Sequence, residues 1–192
     1  MIKNSKFKNK NSAKGITLIE ILVVMFIIAI FSSILVADFP KMKRQFALTR
    51  AVYKMSQDLR RAQDMGLSGL QVGGINAKGY GVYINLNGTS LGNKKYIIYA
   101  DVDDDQQYTQ GTDFVVEETN LDQIELGVII SAIDGTTDSQ QVDINFKPPN
   151  PTITITSLSP GINQAQIIFA LEFDPLKIRM VLVNTAGLIE IR

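Results

Sequence analysis

Glu20 is the residue of this chain whose surroundings most call for chemistry. It lies five positions past Gly15 in Lys14-Gly15-Ile16-Thr17-Leu18-Ile19-Glu20, and the chain from Ile16 stays apolar as far as Ala37. An ionised carboxylate at the centre of a membrane helix costs ~2.5–3.5 kcal/mol on insertion scales. Such a group needs either a cation to pair with or a depth shallow enough to reach lipid headgroups. Both readings stand on the residues alone, because Glu20 is about one helical turn from Ile16.

A second group is acidic. Asp101, Asp103 and Asp105 alternate along the chain, with Gln107 able to offer a carbonyl and Asp113 further on. That spacing copies the first ligand positions of an EF-hand loop, in which carboxylates and a carbonyl hold calcium. Gln106 stands where such a loop turns on glycine, and Thr112 where it closes with glutamate, so the copy is partial. Like charges this dense repel, and a hard cation would relieve them. Calcium is the candidate cofactor; the alternative is a solvated turn between two strands.

The chain has no His, no Cys and no Trp. Zinc sites built on His and Cys, disulfides, thiol nucleophiles and imidazole bases are thereby excluded. No Ser or Lys stands in a recognisable catalytic motif, so an enzyme is not expected. The formal net charge is zero but is unevenly laid out: Lys3, Lys6, Lys8, Lys10 and Lys14 precede the apolar run with no acid among them. Residues 41–66 carry a net charge of +5 and residues 67–192 one of −8. Nucleic-acid binding needs clustered Lys and Arg against phosphates. The C-terminal part gathers Lys177, Arg179 and Arg192 and little more, so nucleic acid is not an expected partner.

The elements around these residues must position them. Residues 16–37 form a 22-residue segment interrupted by Thr17, Glu20, Ser32 and Ser33. As a helix it is ~33 Å long, against a hydrocarbon core of ~30 Å. Three readings compete for it: a cleaved secretory signal, a plain uncleaved anchor, and a helix cut on its cytoplasmic side after Gly15. The first should have a shorter apolar core, and the second has no use for Glu20, so the third is preferred. Five lysines before the segment and Lys41, Lys43 and Arg44 after it lean only slightly toward a cytoplasmic N-terminus.

Pro40 then marks a break or the first turn of a renewed helix. Leu48, Val52, Met55, Leu59 and Ala62 step by 4, 3, 4 and 3, one helical face fit to pack on a sheet. Gly66 is the expected stop. Lys41, Lys43, Arg44 and Arg50 form a basic collar suited to anionic lipid headgroups or to the acidic body of a neighbouring subunit. After a glycine-dense loop to Gly79, strands are expected at 80–86, 96–100, 114–118, 127–133, 142–146, 152–156, 167–173, 178–184 and 188–191. Asn87-Gly88 reads as a hairpin cue, and Pro148, Pro149 and Pro151 isolate 142–146 from 152–156. Alternation in those two strands suits a sheet with one face in water.

Gly15 followed by Ile-Thr-Leu-Ile-Glu20 and a long apolar run resembles the class III signal of type IV pilins and type II secretion pseudopilins. The resemblance implies that a membrane-embedded aspartyl prepilin peptidase cuts after Gly15, that Ile16 becomes the methylated N-terminal residue, and that Glu20 is the fifth residue of the mature chain. Ile16 stands where phenylalanine is commonest, and the helix-kinking proline of many pilins corresponds to Ala37, with Pro40 the nearest. The new α-amino group of Ile16, on a neighbouring subunit, would be the cation that Glu20 lacks, and the pairing would set the axial step between subunits.

The fold implied is α+β and pilin-like: one long N-terminal helix whose second half packs on an antiparallel sheet. The stretch from Asp58-Leu-Arg-Arg-Ala-Gln63 to Gly79-Tyr-Gly-Val-Tyr83, with the closing 179–191, resembles the GspH/FimT-type minor pilin domain. On this basis the chain divides into a leader (1–15), a transmembrane and assembly helix (16–39), an amphipathic extramembrane helix (40–66) and a β-rich domain (67–192). A structural subunit is expected, single-pass in the bacterial inner membrane with its N-terminus cytoplasmic, then in an extracytoplasmic pilus or pseudopilus. The implied partners are the peptidase, other pilin or pseudopilin subunits, the inner-membrane assembly platform and membrane lipid. A tip-located subunit for DNA uptake or adhesion, and a generic membrane-anchored β domain, are the alternatives.

Overall fold

The computed structural model describes residues 15–69, 71, 73–87, 91–125, 127–148 and 152–192. The expected leader before Gly15, Gly88 of the hairpin cue, and Pro149 and Pro151 lie outside the described residues. The chain falls into two compact units that divide between Met42 and Lys43.

Helix α1 (Leu18–Ser68) contributes to both. Thr17 caps it: the Glu20 N–H reaches Thr17 Oγ1 at 3.2 Å and the Thr17 carbonyl at 3.1 Å, occupying a donor that the first turn leaves free. Pro40 lies inside the helix without ending it, where a break or a fresh start was expected. A proline removes one donor, but its locked φ of about −65° is already helical, so the turns on either side can carry the helix through. Gly66 is not the stop either. A Cβ there would collide with the Phe146 carbonyl, so this glycine serves the close packing of helix on sheet. The turn that closes α1 comes at Gly69, whose φ of +58° lies in the left-handed region that glycine adopts freely.

Among the described residues nine strands follow: β1 (Gly79–Asn85), β2 (Lys95–Asp101), β3 (Phe114–Asn120), β4 (Val128–Asp134), β5 (Gln141–Lys147), β6 (Thr152–Ile155), β7 (Gln164–Leu171), β8 (Asp174–Asn184) and β9 (Ile189–Ile191). Each expected strand is present with shifted ends, and β8 moves most, beginning at Asp174. A short helix, α2 (Leu121–Ile124), capped by the Asn120 side chain, was not foreseen. The strands form two antiparallel sheets, ordered β3-β2-β1-β5-β6 and β4-β7-β8-β9. Ala47, Leu48, Ala51, Val52, Met55, Leu59, Ala62 and Met65 of α1 share one buried core with both sheets. The layout is α+β: a long N-terminal helix, apolar at its start, packed through its second half on antiparallel sheets.

One expectation is corrected at β5. Val142, Ile144 and Phe146 enter the core as alternation requires, but Asp143 and Asn145 on the opposite face are buried as well. The segment 102–113 lies over them, and its Tyr108 N–H donates to Asp143 Oδ1 at 2.8 Å. A polar stripe on a strand therefore marks a face covered by a polar loop here, not a face in water.

Candidate functional site

Every described residue from Gly15 to Phe46 is exposed. Within this stretch Ile, Leu, Val, Met and Phe side chains stand bare on all sides of α1, and the helix is long and apolar enough to cross a membrane. Ile16, Glu20, Ile21, Val24 and Met25 line one shallow hollow of about 250 Å³. Glu20, in the first turn of α1, thus lies beside Ile16, which precedes the helix. Among the described residues that carboxylate has no cation partner. Among the described residues nothing lies within 4 Å of a Cβ placed on Gly15. Thr17 was passed over in the sequence, yet the signal was there: Thr-x-x-Glu before an apolar run is the spacing of a capping box.

The acidic loop is drawn together in part. Carboxylate oxygens of Asp101, Asp103 and Asp105 lie within 4.8 Å of one another. Asp101, buried at the end of β2, accepts from the Asp104 N–H at 2.7 Å, the Gln106 N–H at 3.0 Å and Asn145 Nδ2 at 3.2 Å. Gln106, in the place of the expected glycine, takes a φ of +65°, so the turn is made without one. Gln107 donates its N–H to Asp105 Oδ1 at 2.8 Å. Asp113 stands outside the three-carboxylate cluster; its oxygens accept from Val102 N–H at 2.9 Å and Thr109 N–H at 2.7 Å. Three converging carboxylates suit a hard cation, while the backbone N–H groups on the same oxygens let the turn hold itself.

Burial raises the Asp101 and Asp113 carboxyls above the ordinary range, against the pull of those N–H donors and with neighbouring aspartates adding to the rise. Asp143 is pushed furthest, up to about 7, by burial, with Asp105 and Asp113 adding to it and the Tyr108 N–H opposing. The Tyr108 ring covers this corner, its centroid 5.1 Å from that of Tyr83 and 5.5 Å from that of Tyr99. Lys147 offsets some of the charge through Asp104 at 2.6 Å.

Asp58 was also missed. Three residues past Met55 and four before Ala62, it sits within the buried stripe of α1 at 3% exposure. Its Oδ1 meets Lys54 Nζ at 2.5 Å, and its Oδ2 accepts from the Tyr96 hydroxyl at 2.6 Å and the Thr119 hydroxyl at 3.4 Å. Lys54 also reaches Glu117 of β3 at 3.2 Å, and Arg61 pairs with the same carboxylate. Burial alone would lower the Lys54 ammonium, but its bonds to Asp58 and Glu117 outweigh this and raise it. The Tyr96 hydroxyl is held well above its usual value by burial and by the Asp58 charge. An acid at a stripe position was the available signal.

Residues 10–36 match the family model described as the prokaryotic N-terminal methylation motif, which is the type IV pilin signal. With the long apolar N-terminal helix, this is consistent with a pilin-like protein. Comparison with curated proteins and with solved structures gave no match.

Proposed function

We propose that this chain is the precursor of a pilin-like structural subunit, cut after Gly15, N-methylated at Ile16 and assembled through its apolar helix into a type IV pilus or type II secretion pseudopilus, as a minor subunit. The observation that carries this is a juxtaposition. The methylation motif occupies the half of α1 whose side chains all lie bare, and within it Glu20 sits beside Ile16 with its carboxylate unpaired among the described residues. An apolar helix face of this extent needs a cover. Lipid supplies it while the subunit waits in the bacterial inner membrane, N-terminus in the cytoplasm, and helices of neighbouring subunits supply it after assembly. Cleavage by a prepilin peptidase frees the Ile16 α-amine, a cation at the depth of Glu20 on the next subunit, and so offsets the cost of the buried acid. Other pilin or pseudopilin subunits and an inner-membrane assembly platform are the partners this requires, and no catalysis by the chain itself is called for.

The intact mass of the protein extracted from its native membrane tests the processing step. The expected mass lacks Met1–Gly15 and gains one methyl group. A mass that still includes the initiator methionine overturns the proposal.

A further inference from the structure

The turn between β7 and β8 carries large apolar side chains that the body does not cover. The ladder is irregular there: Leu171 pairs with Asp174, while its neighbour Ala170 pairs with Ile178, so residues 175–177 are thrown out of register. Leu176 is thereby 92% exposed and Phe173 77% exposed. A bulge re-aims side chains, and here it turns Leu176 into the open, while Phe173 stands in the turn itself. Leaving both bare forgoes the free energy of burying them, which asks for an apolar occupant.

Two features say what that occupant is. The first is position. Leu176, Lys177, Ile178 and Arg179 line a hollow of about 340 Å³ with Gln45, Leu48 and Thr49 of α1. Gln45 follows Phe39 by six residues in the chain, so the hollow is tethered to the end of the apolar segment by a short length of chain. The second is charge. Asp174 is answered by Lys177 at 3.6 Å and Glu172 by Lys94 at 3.4 Å. Lys43, Arg44 and Arg179 have no acidic partner among the described residues, although residues 67–192 as a whole carry −8. Arg179 lines the hollow with Leu176, and Lys43 and Arg44 stand two and one residues before Gln45 in the chain; bare apolar side chains with such cations match an anionic lipid surface, the rings and chains entering the acyl boundary and the cations staying at the phosphates.

We infer that the β7–β8 turn is a second membrane contact, with Phe173 and Leu176 as its anchors and Lys43, Arg44 and Arg179 as its headgroup ligands, holding the body on the anionic bilayer that the helix inserts into. This rests on the membrane-anchored reading of residues 16–39. It gives the subunit two states, lying on lipid or released from it, before it joins an assembly.

The chain has no Trp, so one introduced indole reports alone. The full chain is reconstituted in vesicles of phosphatidylcholine, with or without phosphatidylglycerol, carrying brominated acyl chains that quench an indole on contact. Leu176→Trp and Phe173→Trp probe the turn, and neither side chain is needed for packing. Ile162→Trp, at the far end of the hairpin about 26 Å of strand away, is the control in the body, and Phe26→Trp reports insertion of the helix. Expected is several-fold stronger quenching of Leu176→Trp and Phe173→Trp than of Ile162→Trp when phosphatidylglycerol is present. It should fall toward the control level without phosphatidylglycerol or on adding Arg179→Glu. If both turn variants match Ile162→Trp while Phe26→Trp is quenched, the inference is overturned and the anchored reading stands. If Phe26→Trp is itself unquenched, both fail. Emission that shifts with the protein-to-lipid ratio, without quenching, assigns the turn to a second protein copy and overturns the lipid assignment.

Discussion

Helix α1 carries two acids in apolar surroundings, Asp58 and Glu20, and they differ in where their partners come from. Asp58 is enclosed by its own fold, with Lys54 at 2.5 Å, Tyr96 at 2.6 Å and Thr119 at 3.4 Å. Glu20 has its N–H bonded to Thr17, and among the described residues nothing answers its carboxylate. A carboxylate out of water needs charge and hydrogen bonds: Asp58 meets that demand inside the fold, and Glu20, exposed here, would meet it in a membrane or an assembly. The sheet-packed half of the helix solves it within one chain. The bare half leaves it open, which suits a surface completed by other molecules. An answered charge marks a core, and the unanswered one, on a helix otherwise ready for burial, is what supports the proposed assembly surface.

The comparison breaks most sharply at Asp58. Asp58→Ala removes the buried member of the pair, leaving Lys54 with Glu117 alone and the Tyr96 hydroxyl without its carboxylate acceptor. Loss of one partner from such a pair costs about 3–5 kcal/mol, which for a domain of this size lowers Tm by roughly 10 °C. Thermal unfolding of the detergent-solubilised chain measures it. An unchanged Tm would mean that the network contributes nothing and that the contrast with Glu20 is empty.

How much of this was legible beforehand depended on which signal was local. Leu48, Val52, Met55, Leu59 and Ala62 announced the buried face because helical period is written in sequence. The strands were found for the same reason, each with its own apolar pattern. Glu20 and Gly15 stood out because they interrupt a uniform background. Asp58 was hidden because its partners Tyr96 and Thr119 are distant in the chain and only the fold brings them in. Pro40 and Gly66 misled because both have a local meaning, breaker and stop, that context overrode. Gly66 answers to Phe146, far along the chain, and not to its neighbours. The acidic loop was half legible: the alternation of Asp101, Asp103 and Asp105 gave their convergence, but not the turning of Asp113 onto Val102 and Thr109, nor the covering of Asp143.

Asp143 gives the comparison a third case, an acid that the fold buries without a cation. Its folded carboxyl holds a proton up to about 7, whereas unfolded it releases one near ~3.9. Between those values the folded state binds more protons, so stability falls as pH rises through this window, by at most about 4 kcal/mol. Asp101 and Asp113, also raised, act in the same direction. Glu117, despite burial, is lowered by Arg61 and Lys54, and its contribution is lost only in more acid solution. Tm should therefore rise as pH is lowered from about 8 to about 5. Asp143→Asn, which keeps an acceptor for the Tyr108 N–H, should raise Tm at the upper end and flatten the slope. An unchanged slope would place the titration elsewhere. A smaller effect belongs to the neighbouring cluster. If Asp101, Asp103 and Asp105 hold calcium, free calcium at about ten times its Kd adds ~1.4 kcal/mol, and Asp103→Asn with Asp105→Asn removes the gain. Calorimetry with no heat and no shift in melting leaves a solvated turn.

The smallest expected change in folding stability is at Glu20, and there the comparison is sharpest. Glu20→Leu removes an exposed carboxylate that no described residue pairs with, so Tm should stay within the ~0.5 kcal/mol scatter of surface substitutions. Incorporation into filaments should nonetheless fall when the variant is the sole copy, because on the proposed pairing Glu20 meets the freed N-terminal amine of a neighbouring subunit. Supplied together with the native chain, the variant still offers its own amine to a native Glu20 while lacking the reverse pair. It should therefore enter mixed filaments at reduced frequency instead of being excluded outright. Blocking cleavage at Gly15 has the complementary consequence, since the carboxylate is kept and the amine is never made. Equal incorporation of native and Glu20→Leu chains, scored by quantitative mass spectrometry of sheared filaments, would show that the acid has no partner in the assembly.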